Sequence, residues 1–246
     1  MKYPRTVTAE TLDVLDEEDP RAKRSRRDLQ RVHRVMGTRS IVGRALEAML
    51  ASRPAQAPLR ILELGAGDGT LMLRVAQRLS VGSPDVELTL LDRQDLVTRE
   101  TVECYARLGW KALGYKKDVV DWGRENSFER PGLASDRWDL IITTLFLHHF
   151  ETSQLVSLFE GISASTERFF ACEPRRGWLA LLGSHVIGAL GVNAVTRHDA
   201  VLSVHAGFRD QELRSLWPAR GIQWQVGEFQ AGLFSHCFRA QRVGGE

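Results

Sequence analysis

Ten residues, Ile61-Leu62-Glu63-Leu64-Gly65-Ala66-Gly67-Asp68-Gly69-Thr70, constrain this chain more than any other stretch. An apolar run enters three alternating glycines and leaves them as a helical pattern over residues 70–79. Glycine reaches positive φ at no steric cost and lets a backbone approach a ligand closely. Strand, glycine turn and helix in that order open a parallel α/β sheet. The rest of the chain keeps the rhythm. Residues 59–64, 86–91, 111–115, 139–144 and 168–172 read as strands, and helical patterns fall at 96–108, 152–163 and 178–190. Such alternation predicts a parallel sheet with helices on both faces. The end of the chain breaks it. After a helix at 210–216, residues 223–229 and 234–241 are two strands joined at Ala231-Gly232, with no helix between them. They predict an antiparallel hairpin, unusual for a dehydrogenase.

Upstream, residues 1–19 read as a polar, acidic, irregular arm. Pro20 opens a basic helix that carries Leu29, Val32 and Met36 at helical spacing and ends at Gly37. A second helix follows, with Ile41, Ala45, Leu46, Met49 and Leu50 on one side, and residues 51–58 form a proline-bearing linker. The expected organisation is an N-terminal helical arm or lid over residues 1–55 and one α/β domain over residues 56–246.

The bulk numbers narrow the class. A chain of 246 residues with 43% hydrophobic content suits one α/β domain. A formal net charge of +2 argues against a broad nucleic-acid surface. The three cysteines, Cys104, Cys172 and Cys237, are scattered and form no CxxC, so no disulfide framework and no metal site is expected, and a reducing cytoplasm is the natural setting. The longest apolar run, residues 178–192, is shorter than a membrane span and holds Ser184 and His185. It fits an acceptor of hydrophobic character or a homodimer contact.

The turn itself selects a ligand. Its pattern is GxGxG, with Thr70 where a dinucleotide fingerprint places its last glycine. A dinucleotide sets a pyrophosphate on the helix N-terminus. Here Glu63 and Asp68 put negative charge at that place, which repels a pyrophosphate and suits a cation such as S-adenosylmethionine. Gly65, Ala66 and Gly67 supply the backbone. Asp92, with Arg93 beside it, ends the next strand, where an acidic side chain accepts hydrogen bonds from ribose hydroxyls. Asp118 and Val119 follow the third strand and suit an adenine edge, with Asp121 a competitor. The fourth strand delivers Thr143 and Thr144 to the same edge, and His148 and His149 follow at once.

These segments, with residues 168–174, resemble the class I S-adenosylmethionine-dependent methyltransferases, and Leu147-His148-His149 looks like the branch acting on quinols and other small molecules. The resemblance is clear over residues 59–172. The stretch from Arg197 to Phe208, with Glu212-Leu213, is similar to a bacterial subgroup of natural-product methyltransferases, from which Cys172-Glu173-Pro174-Arg175-Arg176 and Asp199-Ala200 depart. The resemblance implies a Rossmann-like, seven-stranded, mostly parallel sheet with a C-terminal antiparallel hairpin. It also implies methyl transfer to a small-molecule acceptor, with O-methylation of a phenolic, quinol or polyketide-like compound the first expectation. An RNA or protein methyltransferase and a non-catalytic S-adenosylmethionine-binding module are the alternatives.

Methyl transfer needs alignment of acceptor, methyl and sulfur, and needs a base only if the acceptor is protonated. His148 or His149 could be that base, could orient the acceptor, or could pack against the sheet. Asp199 with His198 or His205 could form a base and its orienter. Arg175 and Arg176 could bind an acidic acceptor or cap a helix.

Overall fold

The computed structural model describes residues 3–51, 58–79, 85–126, 137–218 and 223–243. Seven strands form one sheet: β1 (Leu59–Leu64), β2 (Val86–Asp92), β3 (Trp110–Lys116), β4 (Leu140–Thr144), β5 (Arg168–Pro174), β6 (Trp224–Ala231) and β7 (Ser235–Arg242). Their order is β3-β2-β1-β4-β5-β7-β6. The first five are parallel, and β7 runs antiparallel between β5 and β6. The expected C-terminal hairpin is present, and the sheet is the mostly parallel one that the sequence predicts.

Strand alternation sorts the side chains into two cores. Leu59, Ile61, Leu140, Ile142, Phe170 and Cys172 face one side, with α3 (Thr38–Leu50) and α4 (Thr70–Leu79) packed on them. Leu62, Leu64, Ile141, Phe169 and Ala171 face the other, under α6 (Val119–Glu125), α7 (Thr152–Ser165) and α10 (Glu212–Leu216). Both faces are covered, so the central strands read as unbroken apolar runs. α5 (Arg99–Ala106) completes the first face beside β3. The chain reverses its winding between β1 and β4, and a crevice therefore opens beyond the carboxyl ends of those strands.

The N-terminal elements close that crevice. α2 (Pro20–Met36) begins with Asp19 accepting from the Arg21 N–H, and stops at Gly37, whose φ of 71° gives the left-handed cap. Most of its basic residues face solvent, whereas Arg26 and His33 are half-buried and border the crevice. Its inner face holds Ser25 and Asp28, which bind Asn193 at the start of α9 (Ala194–Ala206). Leu29, Val32 and Met36 are only half-buried and line the crevice rather than the core. The expected division at residue 55 lies outside the described residues, as do residues 52–57 of the expected linker; α3, on its N-terminal side, packs in the sheet's own core. The arm before α2 contains one helical turn, α1 (Thr11–Val14). The apolar helix expected over 178–190 is α8 (Trp178–Val186), tightening to a 3₁₀ turn over Ile187–Leu190.

Among the described residues no helix is long and apolar enough to cross a membrane.

Candidate functional site

Beyond the ends of β1, β2 and β4 lies a cavity of about 880 Å³. Two different kinds of wall enclose it.

One wall is the glycine turn. Gly65 has φ of 71°, and a Cβ there would stand 2.2 Å from the Phe146 ring, so only glycine fits. The N–H groups of Gly65 and Ala66 bond to the Leu91 carbonyl, and the Gly67 N–H donates to Asp92 Oδ2 at 2.9 Å. Gln94 N–H holds the other Asp92 oxygen at 3.0 Å. Each oxygen keeps a lone pair for a further donor. Asp68 accepts from the backbone and hydroxyl of Thr70 and so caps α4. Tyr105 ties the turn from below through the Gly69 carbonyl, at 2.7 Å.

Glu63 is the unusual member. It is 3% exposed, and its Oε2 has no hydrogen-bond partner. Burial, with the charges of Asp68 and Asp92 adding to it, pushes its carboxyl up to about 8. A buried carboxyl without a partner is costly in an isolated fold. It stands on the cavity wall, where a cationic donor would satisfy it.

Asp118 and Val119 also line the cavity, with one Asp118 oxygen accepting from the Val120 N–H to cap α6. Thr144 reaches the cavity with an unpartnered hydroxyl. Thr143 does not. Alternation turns its side chain into the sheet, where it is fully buried. Arg93 borders the cavity, but its guanidinium bonds the Asp13 carbonyl and pairs with the Asp13 carboxylate at 3.4 Å. It ties the arm to the end of β2.

The other wall is built of side chains from three distant segments. β4 leads into Leu145, whose φ of 53° is rare for a non-glycine residue, and the 3₁₀ turn Leu147–His149 follows. Glu173, fully buried at the end of β5, accepts from the N–H groups of Phe146, Leu147 and His148 and from His148 Nδ1 at 2.9 Å. His149 Nδ1 donates to the Phe146 carbonyl at 2.9 Å. Both rings are thereby fixed with Nε2 toward the arm. There Glu10 lies 3.2 Å from His148 Nε2 and 3.5 Å from His149 Nε2, and Asp13 lies 3.4 Å from the latter. Burial opposes charge on His149, yet Glu10 and Asp13 outweigh it and push the imidazole up to about 9. Burial likewise opposes the charge of Glu10, and the two histidines hold it well below the usual carboxylate range. Arg5 seals the back of this wall through the carbonyls of His148, Phe150 and Ala206.

The second base pair expected from the sequence is not assembled. The Asp199 oxygens accept the N–H groups of Thr11 and Leu12, each at 2.9 Å, and anchor the arm. His198 is exposed on α9, and His205 packs against the Tyr3 ring with centroids 5.4 Å apart. Adjacent helical positions diverge by about 100°, so Asp199 cannot face His198. Arg176 is buried and joins Gly207 and Glu212, so it neither meets an acceptor nor caps α8. Glu10, Asp13 and Glu173 escaped the sequence reading. Glu173 alone had a local signal, its place at the ligand-bearing end of β5.

No family model and no curated protein sequence matches this chain. Solved structures do match. The plantazolicin methyltransferase BpumL, in complex with SAH, superposes with a TM-score of 0.60 at 14% identity, covering 92% of each chain. BamL, a plantazolicin methyltransferase in complex with a triazolic desmethylPZN analog and SAH, gives 0.58 at 13%, covering 94% of this chain and 93% of that one. The fold is that of the class I methyltransferases. Magnesium protoporphyrin IX methyltransferase from Synechocystis PCC 6803, with bound SAM, matches at 0.50 and 12%, covering 95% of this chain and 88% of that one. Within the methyltransferase fold, the glycine turn and Asp92 stand at the topological switch between β1 and β4, and the histidine turn stands directly beside it.

Proposed function

We propose that this chain is an S-adenosylmethionine-dependent methyltransferase acting on a small molecule, most simply at a phenolic or quinol oxygen. The carrying observation is Glu63. The Asp68 and Asp92 carboxylates disfavour a phosphate here, and the buried, partnerless Glu63 carboxyl beside them gains most from a cationic partner. S-adenosylmethionine meets those requirements, with an ammonium for Glu63 and ribose hydroxyls for the free lone pairs of Asp92. Gly65, Ala66 and Gly67 leave room for close backbone approach, and Asp118 and Val119 border the place for the base. When bound, the cofactor supplies a methyl group already activated by its sulfonium.

The chain's own residues then have to align the acceptor and exclude water. α2, the arm and α8 cover the cavity with Leu29, Val32, Met36 and Leu12, an apolar lining that suits an aromatic or polyketide-like acceptor. The histidine turn and Glu10 form the polar spot in that lining and receive the acceptor's hydroxyl. The fold neighbours named for plantazolicin and magnesium protoporphyrin methylation add support for a small-molecule acceptor. RNA has less support, because Arg176 is committed to structure and Arg26, the arginine of α2 that borders the cavity, is held by the Glu17 carbonyl and Gln94.

The test is transfer of labelled methyl from S-adenosylmethionine to a panel of phenols and quinols. Transfer to at least one, abolished with Asp92→Ala, is expected. No transfer to the panel, with transfer to RNA or a protein instead, would replace this acceptor class.

A further inference from the structure

Glu10, His148 and His149 hold more than a salt bridge. Their ligating atoms all lie within 4.8 Å of one another, and all three residues line the cavity. Both imidazoles have Nδ1 engaged by an acceptor, the Glu173 carboxylate for His148 and the Phe146 carbonyl for His149. That arrangement fixes ring orientation and leaves Nε2 for a ligand, as in protein metal sites. The separations agree with this. Zinc bonds to imidazole nitrogen and carboxylate oxygen of about 2.0–2.2 Å in a tetrahedron require ligand atoms roughly 3.3–3.5 Å apart. Glu10 Oε1 stands 3.2 Å from His148 Nε2 and Glu10 Oε2 stands 3.5 Å from His149 Nε2, so each carboxylate oxygen meets one imidazole at that spacing. The charge is right as well: Glu10, Asp13 and Glu173 surround two histidines, and Ser203 adds a hydrogen bond that steadies Glu10. The donor set of two imidazoles and a carboxylate suits zinc or a similar divalent transition ion rather than calcium or magnesium.

We infer that Glu10, His148 and His149 form a binding site for a divalent transition-metal ion, with its fourth position open to the cavity. Binding would lock the arm onto the sheet, because Glu10 lies on the arm and His148 directly after β4, 138 residues apart in the chain. Insofar as the site serves methyl transfer, this rests on the reading above: the open position takes the acceptor's oxygen, which holds a phenol or a catechol-like pair in place.

The full-length protein, treated with a chelator, is titrated with Co²⁺ as a spectroscopic stand-in for zinc, and the same samples are titrated with S-adenosylhomocysteine. The expected result is the visible absorption of tetrahedral Co²⁺, saturating at one equivalent and displaced by Zn²⁺. Glu10→Ala and His149→Ala should weaken binding at least a hundredfold. Glu173→Gln should weaken it ten- to a hundredfold by freeing the His148 ring. His198→Ala, outside the cluster, should leave it unchanged. Thermal unfolding of each variant checks that it is folded. A folded wild type that gives no tetrahedral band, or a band indifferent to Glu10→Ala and His149→Ala, overturns the site. If S-adenosylhomocysteine still binds in that case, the methyltransferase reading stands without a metal. If Co²⁺ binds as described and S-adenosylhomocysteine does not, the metal site stands and the cofactor reading falls.

Discussion

The two walls of the cavity are built by opposite means. The cofactor wall is mostly backbone: a glycine turn, two strand ends and a carboxylate gripped by N–H groups 2 and 25 positions away. The wall proposed for the acceptor is mostly side chain, brought together by contacts spanning 138 residues from Glu10 to His148 and 188 from Thr11 to Asp199. A backbone wall keeps its shape as long as the sheet is folded. A side-chain wall exists only while the arm stays docked. On the proposed reading, the cofactor half should tolerate little substitution but survive loss of the arm, and the acceptor half should behave in the reverse way.

The largest effect should come from the turn. Gly65→Val adds a side chain where even a Cβ meets Phe146 and where φ is positive, and S-adenosylhomocysteine affinity should drop more than a hundredfold by calorimetry. Retention within threefold would show that the turn is more pliable than its geometry says. Removing residues 1–14 should next cut methyl transfer more than tenfold while cofactor affinity moves less than threefold. Equal losses in both would erase the contrast between the walls.

Glu63 sharpens the comparison through pH. Its carboxyl is raised to about 8 in the free protein, so it is mostly protonated at neutral pH. A cofactor ammonium favours the carboxylate, hence affinity should rise with pH up to about 8 and then level, and Glu63→Gln should flatten that slope. Stability moves the other way. A folded-state value above the unfolded one means the free protein is best off below about 4.5 and loses a few kcal/mol as pH climbs through 8, a loss absent from Glu63→Gln in thermal melts. The smallest effect is Asp199→Ala. Losing a charged acceptor for two N–H groups of the arm should cost about 1–3 kcal/mol locally and appear as faster proteolysis of the arm, with the melting point of the sheet little changed.

The same contrast explains what could be read from sequence. The α/β order, the hairpin and the cofactor wall rest on local patterns: apolar runs, glycines, and an acidic residue at the next strand end. Asp92 is legible because the strand that carries it ends at the ligand edge. Thr143 and Thr144 read alike from the strand end, and one step of the strand alternation puts Thr144 on the cavity wall and Thr143 inside the sheet. The acceptor wall has no local pattern. Nothing near Glu10 signals that α9 will fold the arm over the histidine turn, and Asp199 is drawn to that arm rather than to the histidines beside it in the chain. His148 and His149 were visible as a pair, and the Phe146 carbonyl that holds His149 Nδ1 is only three residues away, but Glu173, which holds His148 Nδ1, reaches it because β5 lies next to β4.

The central claim is that the glycine-turn wall binds S-adenosylmethionine. Its most direct test is calorimetric titration of the purified protein with S-adenosylhomocysteine, with NADH alongside and Asp92→Ala in parallel. Micromolar binding of S-adenosylhomocysteine, none of NADH, and loss of binding in Asp92→Ala is the predicted result. A folded protein that binds NADH, or that binds S-adenosylhomocysteine equally well without Asp92, would contradict it.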